Sequence, residues 1–146
     1  MAGMRVMECN QGPRVTFDEI SGSDVVVIQR DFPRFWGDYQ KVIKRAREAG
    51  TPVVYELDDL LIEIPENHTH RTDYAGEMLT MLYAILDADL VTSSSRQLQS
   101  YLAEINPNSK FIPNYLNDKL WVLKDQQPAS DLDSGITIGY MGGQTH

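Results

Sequence analysis

The chain has 146 residues, 42% apolar and 23% charged, with 13 Lys+Arg against 21 Asp+Glu for a formal net charge of −8. That length suits one ordinary domain able to bury a core without disulfide or metal support, and the composition argues against global disorder. The acidic balance argues against nucleic-acid binding, which needs cations to displace phosphate counterions, and a single cysteine, Cys9, excludes an internal disulfide and a thiolate metal cluster.

No apolar run approaches the ~20 residues that span a bilayer, and no charged-then-apolar leader opens the chain. The expected setting is a reducing, cytoplasmic one. In chain order, Met4–Met7 has the makings of a short strand, and Gln11-Gly12-Pro13 those of a turn. Strong patterning begins at Asp24-Val25-Val26-Val27-Ile28-Gln29, a run of the kind buried on both faces in a parallel sheet. Trp36, Tyr39, Val42, Ile43 and Ala46 then recur at helical spacing, with Gly50 and Pro52 placed to end that helix.

Val53–Leu57 is a second apolar strand, closed by Asp58-Asp59. Leu60 to Thr72 reads as irregular, and Tyr74, Met78, Leu79, Leu82, Ile85 and Leu86 predict one amphipathic helix. Asp89–Thr92 is a short strand, and Ser94 with Gln97 has capping-box spacing before a helix that buries Leu98, Tyr101, Leu102 and Ile105. Asn106-Pro107-Asn108 ends it, and Lys110-Phe111-Ile112 returns as a strand. Trp121 follows as an anchor, Gln126–Ser134 as a linker, and Ile136–Met141 as a last strand running into Gly142-Gly143. Alternating strands and helices with short turns build right-handed βαβ units, so the expected fold is a three-layer αβα sandwich around a parallel sheet.

In such sheets ligands bind beyond the C-terminal strand ends, near a topological switch point. Three places qualify. Asp58-Asp59 reads most simply as a turn with a helix N-cap. It lacks the phosphate loop of a Walker B pair, the further strand-end aspartate of a receiver domain, and the second Asp of a phosphatase motif, which is Leu60 here. The loop around His68 and His70 supplies too few spaced ligands for a metal, and its length suits a solvated loop or a lid. The strand ending in Gly142-Gly143 is how a phosphate-facing strand–turn–helix begins, although a plain turn explains it equally.

Taken in order, DVVVIQR, AGTPVVYELDDL, DADLVTSSSRQLQSYL, KFIPNYLND and ITIGYMGGQTH resemble the group 1 (family 4-like) glycosyltransferases across about Asp24 to His146. The resemblance implies one half of a GT-B fold: a Rossmann-like N-terminal acceptor domain over 1–134 with its trailing linker, and at 135–146 the first strand and glycine turn of a donor-binding domain. It places Pro113, Asn114, Ser93 and Ser94 toward the interdomain cleft, with Asn114 and Ser94 as donor-cleft candidates beside Gly142 and Gly143 near the donor diphosphate. Many members carry His-Asp where this chain has Asp58-Asp59, so the role of that His does not transfer; Asp58 and Asp59 stand as acceptor-side candidates, with a structural role for Asp58 as the alternative. Members often have Gly after the Pro-Asn pair, where this chain has Tyr115.

The expected parent activity is transfer of a hexose from a nucleotide-diphosphate sugar to a hydroxyl acceptor, a polysaccharide or glycolipid precursor, with no metal and no cofactor beyond the donor. The fragment alone is expected to be inactive. Partners expected from the same resemblance are the two substrates, with no nucleic acid and with room for peripheral membrane association of the parent. An edge strand left open can support a homodimer. The competing expectation is a stand-alone, non-catalytic α/β module that binds a small ligand or a protein, in which Ile136–Met141 pairs into the sheet.

Overall fold

The computed structural model describes residues 10–11, 14–15, 17–115, 117 and 119–120. The chain divides into two compact units, Met1–Pro113 and Asn114–His146. The first unit opens on two paired antiparallel strands, β1 (Asn10–Gln11) and β2 (Arg14–Val15), then a 3-10 turn at Ile20–Gly22 whose Ile20 is buried. Met4–Met7 lies outside the described residues.

The body then alternates: β3 (Val26–Gln29), α1 (Trp36–Ala49), β4 (Val53–Leu57), α2 (Arg71–Ala75), α3 (Met78–Asp87), β5 (Leu90–Ser93), α4 (Arg96–Ile105) and β6 (Ser109–Phe111). Helix α1 follows its sequence pattern, burying Tyr39, Val42, Ile43 and Ala46. It stops at Gly50, whose φ of 68° is left-handed and whose N–H closes on the Ala46 and Arg47 carbonyls. No atom lies within 4 Å of where a Cβ would stand there, so the backbone and not crowding calls for glycine.

The single helix expected from Tyr74 onward is two, with the chain turning at Gly76 between α2 and α3. Its buried face is Thr80, Met81, Ala84 and Ile85, whereas Met78, Leu79 and Leu86 are exposed. Helix α3 is apolar at most positions, so spacing does not select its face. Tertiary packing buries the stripe that holds Thr80, Met81, Ala84 and Ile85. The next helix also starts one residue later than the capping-box reading. Ser95, not Ser94, is the N-cap of α4, its Oγ accepting from the Leu98 N–H at 3.1 Å.

The four strands β3, β4, β5 and β6 form one parallel sheet in chain order. Right-handed crossovers in a sheet that never reverses direction place every connecting helix on the same face. Side-chain contacts agree. The Trp36 and Tyr83 rings meet edge to face at 4.8 Å, and the Tyr39 hydroxyl donates to Asp87 at 2.9 Å. The buried Asn106 amide donates to the Ile85 and Ala88 carbonyls at 2.8 and 2.9 Å, tying α4 to α3. The core lies between this helical layer and the sheet, where Ile28, Tyr55, Leu57 and Val91 meet Ile43, Ala46, Met81, Ile85 and Leu102. Each such large side chain contributes about 1.5–3 kcal/mol.

The architecture is therefore α/β and Rossmann-like, and the described residues supply the sheet and one helical layer. The expectation that Val25–Ile28 is buried on both faces is corrected. Ile28 faces the helices, while Val25 and Val27 are 45% and 59% exposed. The reason is position: β3 is the end strand of a sheet whose described helices all lie on one side. Among the described residues no helix is long and apolar enough to cross a membrane.

Candidate functional site

Because the strands are parallel and in register, their C-terminal ends rise together. Strand β3 ends at Gln29 and delivers Arg30, β4 ends at Leu57 and delivers Asp58 and Asp59, and β5 ends at Ser93 and delivers Ser94. Arg30 Nη1 lies 3.3 Å from Asp58 Oδ2 and Nη2 lies 3.4 Å from Asp59 Oδ2. The Ser94 hydroxyl donates to the Asp58 carbonyl at 3.3 Å. Asp58 Oδ1 is enclosed and meets no donor among the described residues, an acceptor that is costly to leave bare.

Arg30 is held from behind. Its φ is 55°, a left-handed conformation costly for a residue with a Cβ. Its N–H donates to the Glu56 carbonyl at 2.9 Å, and its own carbonyl accepts from the Tyr55 hydroxyl at 2.6 Å. Burial, then the nearby Asp31 carboxylate, push the Tyr55 hydroxyl well above its ordinary pKa and keep it a donor. The arginine is thus aimed across the end of β4.

A second charged group flanks this one. Arg34 lies 2.8 Å from Asp31 Oδ2 and 3.8 Å from Glu77 Oε1, at the start of α3. Burial raises the Glu77 carboxyl above its usual range, Arg34 opposes that shift, and Asp31 adds to it.

The structure brings together Asp58, Asp59 and Ser94, three of the residues singled out from the sequence, and adds Arg30. The turn reading of Asp58-Asp59 stands, but the helix-cap reading is corrected, since the next helix begins only at Arg71. Ser93 is buried, its hydroxyl donating to the Ser95 carbonyl at 3.2 Å. Pro113 closes the first unit, and Asn114 is an exposed residue of the second. Gly142, Gly143 and Ile136–Met141 lie outside the described residues.

His70 Nδ1 lies 2.9 Å from Asp73 Oδ2, and the His70 N–H donates to His68 Nδ1 at 3.2 Å. Among the described residues no group of three or more potential ligands comes together around a metal-sized space. An open concavity of about 310 Å³ sits on the sheet face away from the helices, walled by Val27, Val54, Leu90 and Ile112. The polar Glu56, Thr92 and Ser93 complete its lining.

Sequence reasoning passed over Arg30. The available signal was a charged residue directly after an apolar strand, at the end where parallel sheets bind ligands. Its left-handed backbone had no signal, because arginine has no preference for that region. Compared with known proteins, the chain matches no family model and no curated protein.

Proposed function

We propose that this chain is the acceptor-side domain of a glycosyltransferase that moves a sugar from a nucleotide-diphosphate donor to a hydroxyl acceptor. The observation that carries the reading is the meeting of Arg30, Asp58, Asp59 and Ser94 at the C-terminal ends of three adjacent parallel strands. Carboxylates there accept hydrogen bonds from acceptor hydroxyls, and Arg30 fixes their orientation. Such a site works by positioning. The ordered sequence resemblance supplies the reaction class.

On this reading the donor nucleotide belongs to the partner domain, so the isolated chain catalyses no transfer and binds UDP or GDP weakly or not at all. Calorimetric titration with each nucleotide tests this, and tight binding of either by the isolated chain contradicts the division of labour. In the full-length enzyme, Asp58→Ala and Asp59→Ala lower turnover while leaving the melting temperature nearly unchanged. Unchanged kinetics in both would reduce the pair to a structural turn.

A further inference from the structure

Two carboxyl groups meet where the loop between β3 and α1 passes the start of α3. The side chains of Asp31 and Glu77 are each only 15% exposed, and one cation, the 60% exposed Arg34, serves both. Arg34 Nη2 lies 2.8 Å from Asp31 Oδ2, yet at an angle that makes no hydrogen bond. That enclosed oxygen therefore has no donor among the described residues. The Glu77 carboxyl stands within hydrogen-bonding reach of Asp31. Ionised carboxylates only accept, so a bond between the two requires a proton.

Glu77 has no competing task. It occupies the N-cap position of α3 without capping it. The short α2 before it has no buried residue, Tyr74 packing against the core only in part, so apolar burial gives this turn little hold of its own. The groups facing the pair come from three elements. The loop brings Arg34, and α2 brings Asp73, whose Oδ2 lies 2.9 Å from His70 Nδ1. From β4, the Tyr55 hydroxyl near Asp31 stays a neutral donor to the Arg30 carbonyl.

From this cluster we infer that Asp31 and Glu77 share one proton and form an acid-closed latch between the β3–α1 loop and the start of α3. With the proton in place, Glu77 donates to Asp31 and fills the bare acceptor. When it leaves, two anions face each other across a single solvated guanidinium, and the latch opens. Burial, and then Asp31 against the opposing Arg34, raise the Glu77 carboxyl above its usual range, the direction this requires. The closed form holds the proton more tightly, so its advantage is fully present below the ordinary carboxylate pKa and is lost as pH rises through the raised value. Asp31 directly follows Arg30, so the latch acts on the loop that leaves the strand-end site. It stands independently of the glycosyltransferase reading.

Amide hydrogen exchange of the full chain from mildly acidic to neutral pH, corrected for the intrinsic pH dependence of exchange, tests it. The probes are the Phe32 N–H, which donates to the Gln29 carbonyl at 3.1 Å, and the Glu77 N–H, which donates to the Tyr74 carbonyl at 2.9 Å. Protection at both should fall roughly tenfold as the Glu77 proton leaves, while the Val91 N–H, bonded to the Asn108 carbonyl within the sheet, keeps its own. Glu77→Gln retains a donor for Asp31 and cannot titrate, so it should keep both probes protected throughout. Protection at the two probes that does not change with pH overturns the inference, as does the same fall in Glu77→Gln or a fall that Val91 shares. If Glu77→Gln fails to fold, the midpoint of the fall in the wild type must coincide with the ¹³C titration of the Glu77 carboxyl, and a mismatch overturns the inference.

Discussion

Arg30 combines a conformational cost with a weak local return. A left-handed backbone costs a non-glycine residue about 1–2 kcal/mol. The side chains of Arg30, Asp58 and Asp59 are 37%, 36% and 48% exposed, and pairs of that kind return about 0–1 kcal/mol. A strained residue whose side-chain pairs do not offset the strain, and which the Glu56 carbonyl and the Tyr55 hydroxyl hold in place through its backbone, points to function at the site it lines. Arg30→Gly should therefore leave urea-unfolding stability unchanged or raise it by up to ~1 kcal/mol. By contrast Asn106→Ala, which strips the Ile85 and Ala88 carbonyls of a buried donor, should cost about 2–3 kcal/mol. Glu77 gives a pH signature. Its folded pKa is raised, so the folded state holds this proton more tightly than the unfolded state. Its contribution is fully present below the ordinary carboxylate pKa and is lost as pH rises through the folded value. Melting temperatures of wild type and Glu77→Gln across mildly acidic pH should show a decline in the wild type that the variant flattens.

At the scale of elements, end signals decide more than interiors. Gly50 closes α1 through backbone geometry alone, so Gly50→Ala should cost about 1 kcal/mol without any clash. Ser95→Ala should cost a similar amount by uncapping α4, while Ser94→Ala, away from the cap, should cost only a few tenths, both read by denaturant unfolding. Much of this level was legible. The apolar spacing from Trp36 to Ala46 names its own buried face, because polar residues occupy the rest. Val53–Leu57 was legible as an apolar strand but not for which side it buries, since Val54 is as apolar as Val53. The face of α3 was not legible, since apolar residues surround that helix and tertiary contact makes the choice. The cap of α4 slipped by one residue within a run of three serines, each able to serve locally. Asp58 and Asp59 were legible as strand-end acids. Arg30 as their partner was not, because 28 positions separate it from Asp58 and only the register of β3 on β4 closes that gap.

Across the first unit, the order of the strands determines what each face can do. A sheet that advances in one direction gathers α1, α3 and α4 on one side and leaves the apolar Val27, Val54 and Leu90 on the other. The same parallel order lifts Arg30, Asp58, Asp59 and Ser94 to one end, where backbone amides and short side chains can meet a ligand. The four strands contain no reversal, so the site rests on the strand ends themselves and not on a switch point between them. The central claim is that these strand ends recognise hydroxyl groups and not the donor nucleotide. An amide ¹H–¹⁵N titration of the isolated chain with maltose, a neutral disaccharide, and in parallel with UDP, tests it most directly. Maltose should shift the amides of Arg30, Asp58, Asp59 and Ser94, more weakly in Asp58→Ala, and UDP should leave them in place. Saturable shifts at these amides with UDP and none with maltose would contradict the account.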